Sequence, residues 1–156
     1  MALTVGTTAP DFTLIDTTKT PVSLSSHKGN NVLLVFFPAA FTGVCEAELC
    51  AFRDGMSRLN EANTTVLAIS ADHPFANGAF AKANGFTFPL LSDISMATIN
   101  AYDISFPGFA GIEGLTRSER AVFLVDAEGV IRYVEVTANP GVEPDYEAAF
   151  AAAEGI

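Results

Sequence analysis

The sequence is poor in the residues that metal sites and disulfide scaffolds require. Its 156 residues include only two cysteines, Cys45 and Cys50, and two histidines, His27 and His73. Their spacing does not match that of a zinc site, so we expect no bound metal. Two cysteines are also a poor basis for a disulfide-stapled fold, because such folds belong to oxidising compartments. Phosphate-binding loops, dinucleotide-binding fingerprints and Ser-His-Asp signatures are absent from the sequence, and we expect no cofactor.

Basic residues and long apolar runs are scarce as well. Eight Lys and Arg residues face eighteen Asp and Glu residues, which gives a net charge of −10. This charge argues against nucleic acid or an anionic membrane as a partner. No apolar run approaches the roughly 18 residues of a transmembrane helix. The residues Met1–Thr4 do not begin a secretory signal, so we expect a cytoplasmic protein.

The most informative stretch is a buried strand that leads into a helix. Val32–Phe37 is a continuous apolar run of strand length, and Pro38 ends it because proline has no N–H for a sheet. Thr42 or Gly43 can then serve as the N-cap of a helix with apolar residues at helical spacing. Cys45 therefore falls in the first turn of this helix. Free N–H groups and the helix dipole favour a thiolate there, so we interpret Cys45 as a reactive nucleophile.

The pattern Pro38-x-x-x-Thr42-x-x-Cys45 resembles the active-site signature of the peroxiredoxins. Three further segments, which extend the similarity over most of residues 9–135, are Ala9–Leu14, Phe86–Asp93 and Ser118–Asp126. Phe86–Asp93 is similar to the one-cysteine bacterial enzymes of the alkyl hydroperoxide reductase E group. The resemblance implies a thiol-dependent peroxidase that reduces hydrogen peroxide and alkyl hydroperoxides.

The order of predicted elements agrees with the fold of that family. Strands are predicted at Phe12–Ile15, Pro21–Ser25, Val32–Phe37, Thr64–Ser70, Pro89–Leu91, Ala121–Val125 and Val130–Thr137. Helices are predicted at Gly43–Asn60, Pro74–Asn84, Ile94–Tyr102 and Asp145–Glu154, and a loop at Phe106–Thr116. This order predicts an α/β, thioredoxin-like fold, with a central mixed sheet flanked by helices and an N-terminal β extension. By length, residues 1–156 should form one domain.

The resemblance also implies roles for the residues around the nucleophile. Cys45 would attack the peroxide, with the Thr42 hydroxyl beside the sulfur and Pro38 shielding it from water. Arg120 would stabilise the thiolate and orient the peroxide through its fixed set of donors. Glu48 would orient that arginine. An acid so close to a thiolate needs a cation that neutralises its charge.

Cys50 departs from the pattern of the one-cysteine enzymes. A second cysteine five residues after the first is found in peroxiredoxins of the Q type, also called the bacterioferritin comigratory type. There it would resolve the Cys45 sulfenic acid as an intramolecular disulfide. On an intact helix this offset is about 140° of rotation and about 7.5 Å of rise. The resulting Cα separation of about 8 to 9 Å exceeds the roughly 7 Å limit for a disulfide, so the first helical turns must unwind. The alternative is that Cys50 is an inert, buried cysteine.

Several functions remain open on the sequence alone. With Cys50 as resolving cysteine, a thioredoxin-like or glutaredoxin-like protein would reduce the disulfide; without it, an external thiol would attack Cys45 directly. A disulfide-exchanging oxidoreductase of the same fold would carry Cys-x-x-Cys, whereas here four residues separate the cysteines. A redox-sensing or holdase-like interaction protein is the non-enzymatic alternative. A homodimer through loops near the active site, with Phe41 in contact, is also implied by the resemblance.

Overall fold

The computed structural model of the protein describes residues 2–156. Its strands are β1 (Thr13–Ile15), β2 (Pro21–Ser23), β3 (Asn31–Phe36), β4 (Thr64–Ser70), β5 (Leu90–Ser92), β6 (Ser105–Phe106), β7 (Arg117–Ser118), β8 (Ala121–Val125) and β9 (Ile131–Val136). Its α-helices are α1 (Gly43–Asp54), α2 (Met56–Glu61), α3 (Pro74–Asn84), α4 (Ala97–Ala101) and α5 (Tyr146–Glu154). Short 3₁₀ turns occupy Leu24–His27 and Phe109–Gly111.

Seven of these strands form one mixed sheet in the order β2-β1-β5-β4-β3-β8-β9. The central strands β3, β4 and β5 are parallel, whereas β8 runs antiparallel to β3. The β1–β2 hairpin lies at one edge and provides the predicted N-terminal extension. The expected central mixed sheet is therefore confirmed. The strands β6 and β7 pair separately as a small hairpin.

The sheet has an apolar core on each face, because the side chains of a strand alternate between the two sides. Along β3, Leu33 and Val35 belong to one core, whereas Leu34 and Phe36 belong to the other. The first core is covered by α1, α2, α3 and α5, and the second by α4 and the N-terminal segment. Because helices cover both faces of the sheet, both sides of each central strand are buried. The sequences of these strands are therefore continuous apolar runs.

The predicted single helix over Gly43–Asn60 is wrong, because the chain forms two helices, α1 and α2, that meet at Gly55. This junction packs against the C-terminal helix. A β-carbon at Gly55 would overlap the ring of Phe150, which packs edge-on against Phe52 at a centroid separation of 5.8 Å. The close approach of α5 therefore requires glycine at the junction of α1 and α2.

The predicted helix over Ile94–Tyr102 is shorter in the structure, where α4 covers Ala97–Ala101. Met96 adopts a left-handed conformation, with φ of 65°, and the helix cannot extend back through it. The buried carboxylate of Asp93 instead accepts the N–H of Ile99 at 2.7 Å. A side chain that precedes the left-handed residue thus satisfies the free donors at the helix start.

The segment Phe106–Thr116 is largely irregular, as predicted, but the hairpin of β6 and β7 closes its base. Phe106 pairs with Arg117, and the Phe109 N–H donates to the Leu115 carbonyl at 2.9 Å. This segment, the 106–116 loop, contains left-handed residues at Gly108 and Ala110, with φ of 70° and 57°.

None of the helices within residues 2–156 is both long and apolar enough to cross a bilayer.

Candidate active site

Cys45 lies where the strand-to-helix pattern predicts it. It is the third residue of α1, beyond the carboxyl end of β3, and its side chain is fully buried against the first core. Thr42 occupies the N-cap position in an extended conformation, and its carbonyl accepts the N–H of Glu46 at 2.9 Å. Because the first N–H groups of a helix have no partner within it, those of Val44 and Cys45 are not engaged by the hydrogen bonds of α1.

Arg120 brings a buried cation to the sulfur. It immediately precedes β8, and only 2% of its side chain is exposed. Its Nη2 donates to Cys45 Sγ at 3.1 Å, and its Nη1 donates to Glu48 Oε1 at 3.1 Å. Its Nε and Nη2 also donate to the Pro140 carbonyl, at 3.0 and 2.8 Å. Partners from two separate parts of the chain, helix α1 and the loop at Pro140, therefore hold the guanidinium in one orientation.

Glu48 is a fully buried carboxylate one helical turn after Cys45. Burial raises its pKa to about 8, although the charge and hydrogen bond of Arg120 act in the opposite direction. Within residues 2–156, Oε2 of Glu48 has no hydrogen-bond partner. A protonated carboxyl group is consistent with both findings. The sulfur of Cys45 and the carboxyl of Glu48 thus share one arginine in a region with little water.

Thr42 and Pro38 shape the chain just before the cysteine. Pro38 is buried next to the end of β3. The Thr42 hydroxyl makes no helix-capping hydrogen bond and instead donates to the Ala39 carbonyl at 2.9 Å. It retains acceptor lone pairs. Its predicted position beside an incoming peroxide remains a prediction.

A cleft of about 470 Å³ leads to this site. Arg120 and the start of α1 form one wall of the cleft, and the 106–116 loop forms another. The lining side chains include Thr42, Val44, Phe106, Phe109, Arg120 and Pro140. A second cleft, of about 350 Å³, lies at the other end of β3 beside Leu24 and Val32 and contains none of the predicted site residues.

Cys50 lies in the same helix as Cys45, but the structure does not bring the two together. Both are free thiols, and α1 continues through both without a break. Cys50 is half-buried, and its Sγ donates to Asn84 Oδ1 at 3.7 Å, at the end of α3. Arg53 binds the same residue, with Nη1 donating to the Asn84 carbonyl at 2.5 Å.

Other predictions concern residues away from the cysteines. His73 and Pro74 start α3, as expected, and His73 Nδ1 accepts the N–H of Ala76 at 3.1 Å. Within the described chain, residues 2–156, no three His, Cys, Asp or Glu side chains are grouped so as to hold a metal ion.

Sequence reasoning missed one contact of the site, and it favoured a helix start over a site role for the residue that makes a second. The Pro140 carbonyl that binds Arg120 lies 20 residues further along the chain, in a loop. It carries no sequence signal, because every residue has a carbonyl. Asp72 accepts the Ala40 N–H at 2.8 Å. Its location after β4 was a usable signal, since sites in α/β folds gather at the carboxyl ends of parallel strands.

The chain is similar to known proteins in both sequence and structure. Residues 5–134 match the AhpC/TSA family. The chain is 44% identical over 142 residues to alkyl hydroperoxide reductase E of Mycobacterium tuberculosis, covering 89% of this chain and 88% of that protein. It is 36% identical over 132 residues to chloroplastic peroxiredoxin Q of Sedum lineare, covering 85% and 68%.

Among solved structures, peroxidoxin BcpB from Mycobacterium tuberculosis superposes with a TM-score of 0.85 at 30% identity, covering 97% of each chain. The sequence similarities and this superposition support both the resemblance and the thioredoxin-like fold predicted from the sequence.

The buried carboxyl group gives a testable dependence of stability on pH. Since the pKa of Glu48 is raised to about 8 in the folded protein, folding is favoured while Glu48 is protonated. This contribution is complete below the ordinary glutamate pKa and is lost as the pH rises towards 8. Glu48→Gln keeps an acceptor for Arg120 but cannot titrate. Between about pH 5 and pH 8, the free energy of unfolding measured with urea should therefore fall less in Glu48→Gln than in the wild type. Equal slopes in the two proteins would contradict the assignment.

Proposed function

Because this chain belongs to the AhpC/TSA family, we propose that it is a thiol-dependent peroxidase in which Cys45 is the nucleophile. The observation that carries the proposal is the contact of Arg120 with both Cys45 Sγ and Glu48 Oε1, each at 3.1 Å. A buried guanidinium that donates to the sulfur stabilises its anionic form, which is the form that reacts. The sulfur also lies at a helix start, where free N–H groups favour negative charge.

The chemistry follows from this arrangement. The Cys45 thiolate attacks the terminal oxygen of a hydroperoxide, forming an S–O bond while the O–O bond breaks. The leaving oxygen takes the bonding electron pair and then a proton, giving water or an alcohol. Cys45 becomes a sulfenic acid. Arg120 and the N–H groups of the first turn are the donors that stabilise the charge that develops on the leaving oxygen.

Thr42 and Pro38 complete the proposed site. The Thr42 hydroxyl lies at the cleft and, while donating to Ala39, can accept a hydrogen bond from the terminal O–H of the peroxide. Pro38 is buried beside the end of β3 and limits access of water to the sulfur. Both roles agree with those implied by the sequence resemblance.

The cleft supports hydrogen peroxide and alkyl hydroperoxides as substrates. Its wall includes Phe106, Phe109 and Val44, which suit an apolar substituent, while Arg120 supplies polar donors at the inner end. A small peroxide needs only the inner end. An alkyl hydroperoxide would also contact the aromatic wall.

We propose that Cys50 then resolves the sulfenic acid. The Cys50 thiolate attacks the sulfur of Cys45, an S–S bond forms, and hydroxide leaves and is protonated to water. Because α1 is continuous through both residues, its first turns must unwind and the contact between Cys50 and Asn84 must break. A thioredoxin-like or glutaredoxin-like dithiol would reduce the disulfide and become oxidised itself.

A second mechanism is favoured by the intact helix. Cys50 is held at α3 by Asn84, on a different side of α1 from the buried Cys45 sulfur. In the one-cysteine alternative this helix stays folded, and an external thiol reduces the sulfenic acid. The relatives of the chain include both alkyl hydroperoxide reductase E and peroxiredoxin Q.

A homodimer is also proposed, with Phe41 at its interface. Phe41 is 56% exposed despite its size, and its ring contacts Phe80 at a centroid distance of 5.1 Å. Its left-handed backbone, with φ of 62°, turns this aromatic ring outward beside the cleft. A second copy covering the ring would bury apolar surface that otherwise faces water.

The peroxidase assignment is tested with two matched serine variants. Cys45→Ser should consume no hydrogen peroxide above background with dithiothreitol as reductant, because a serine hydroxyl is not ionised at neutral pH. Cys50→Ser should still react once, and its intact mass should rise by one oxygen atom after one equivalent of peroxide. Full turnover by Cys45→Ser would show that the nucleophile lies elsewhere.

The resolving role of Cys50 predicts a change in helix protection. After treatment with peroxide, amide hydrogen exchange should increase around residues 45–52, while β3 and β4 stay protected. In Cys50→Ser, the sulfenic acid should persist and α1 should remain folded. A Cys45–Cys50 bond without faster exchange would contradict the proposed unwinding. Absence of that bond at stoichiometric peroxide would support the one-cysteine mechanism instead.

The proposed dimer is tested by sedimentation velocity at micromolar concentration. Phe41→Ser should shift the wild-type dimer towards monomer, because the apolar contact is lost. Val5→Ser is a matched control at an exposed apolar residue, 58% accessible, that hydrogen bonds place near β9 rather than the cleft. A monomeric wild type would refute the proposal.

A further inference from the structure

Asp72 connects two segments that bound the cleft. It follows β4, and only 13% of its side chain is exposed. Its Oδ1 pairs with Arg117 Nη1 at 3.2 Å, and its Oδ2 accepts the Ala40 N–H at 2.8 Å. One carboxylate therefore contacts both the segment that leads to Cys45 and the strand that follows the 106–116 loop.

The first of these contacts secures the active-site turn. Ala40 lies between Pro38 and Thr42, and the next residue, Phe41, has φ of 62°. A left-handed conformation is unfavourable for a bulky residue and persists only where surrounding contacts maintain it. The Ala40 N–H bonded to Asp72, together with the Thr42 hydroxyl bonded to Ala39, supplies such contacts.

The second contact secures the opposite wall of the cleft. Arg117 lies in β7 directly across from Phe106 in β6, and Phe106 lines the cleft. Residues that lie directly opposite each other in two antiparallel strands have their side chains on the same face and in contact range. We therefore expect a shift of the Arg117 side chain to move Phe106. The Arg117 side chain is 22% exposed, so most of it is shielded from water.

The support beneath Asp72 is a buried polar network. The Asp72 N–H donates to Ser70 Oγ at 3.1 Å, and Ser70 Oγ donates to Asn77 Oδ1 at 3.0 Å. The Nδ2 of Asn77 donates in turn to Ser92 Oγ at 3.2 Å. These bonds join the ends of β4 and β5 to α3. Asp72 is thus held at β4, β5 and α3, whereas the segments that it binds are the turn before α1 and the short strand β7.

We propose that Asp72 and Arg117 are positioning residues that set the separation of the two cleft walls and thereby the preference between small and bulky hydroperoxides. This inference rests on the proposed peroxidase function. Neither residue contacts Cys45; Asp72 acts through Ala40, and Arg117 acts through Phe106. Hydrogen peroxide requires only the inner end of the cleft, whereas a bulky hydroperoxide must also fit between its walls.

The test compares the rate constants for Cys45 oxidation by hydrogen peroxide and by cumene hydroperoxide. Arg117→Gln should lower the ratio of the cumene hydroperoxide constant to the hydrogen peroxide constant by about tenfold, because the aromatic wall loses its fixed position. Arg117→Lys retains the cation and should restore the ratio to within about twofold of the wild type. An equal decrease for both peroxides, or no decrease, would overturn the proposal.

Two further variants separate positioning from general destabilisation. Asp72→Asn keeps an acceptor for Ala40 but removes the ion pair, so it should reproduce Arg117→Gln, and the double variant should be no worse than either alone. Additive effects would contradict the proposed pair. Arg132→Gln removes a surface arginine, 46% exposed and paired with Asp126, and should leave the ratio unchanged. A wild type whose Cys45 is not oxidised by either peroxide would instead refute the underlying peroxidase function.

Discussion

The candidate site depends on the burial of one cation. Moving a guanidinium out of water is unfavourable unless its donors are paired, and Arg120 is 2% exposed. The chain meets this requirement with a sulfur and a carboxyl group from helix α1 and a carbonyl from the loop at Pro140. The same contacts that make the burial of Arg120 tolerable also place its Nη2 against the reactive sulfur. Stability and chemistry at this site therefore rest on the same hydrogen bonds.

The arrangement of the sheet explains why these groups meet. Cys45 and Asp72 follow the carboxyl ends of the parallel strands β3 and β4, which lie at the same edge. Because β8 runs antiparallel to β3, its first residue, Ala121, lies opposite Phe36 near the end of β3. Arg120, one residue earlier, consequently arrives at that edge from the other direction. A parallel β8 would place it at the opposite end of the sheet.

The helix that carries both cysteines must stay folded to pack in the core, but it must partly unwind for the two cysteines to form a disulfide. Leu49 and Phe52 of α1 are fully buried in the first core, so the helix contributes to the packing of the fold. A bond between Cys45 and Cys50 needs part of this helix to unwind. If Cys50 resolves the sulfenic acid, this resolving step is therefore the one that requires part of α1 to unfold. The initial attack on peroxide needs no such change.

The sequence by itself determined the strand, the turn and the helix start that place Cys45, because these follow from local apolar periodicity and from proline. Its peroxiredoxin-like motifs also indicated Arg120 and Glu48 as partners, and in the structure Arg120 contacts both Cys45 and Glu48. Only the tertiary structure decided the break at Gly55, the Pro140 carbonyl on Arg120, and the pairing of Asp72 with Arg117. These features depend on how closely distant elements approach, and Asp72 and Arg117 lie 45 residues apart in the sequence. Local propensity carries no information about such distances, which are set when the two cores pack around the sheet.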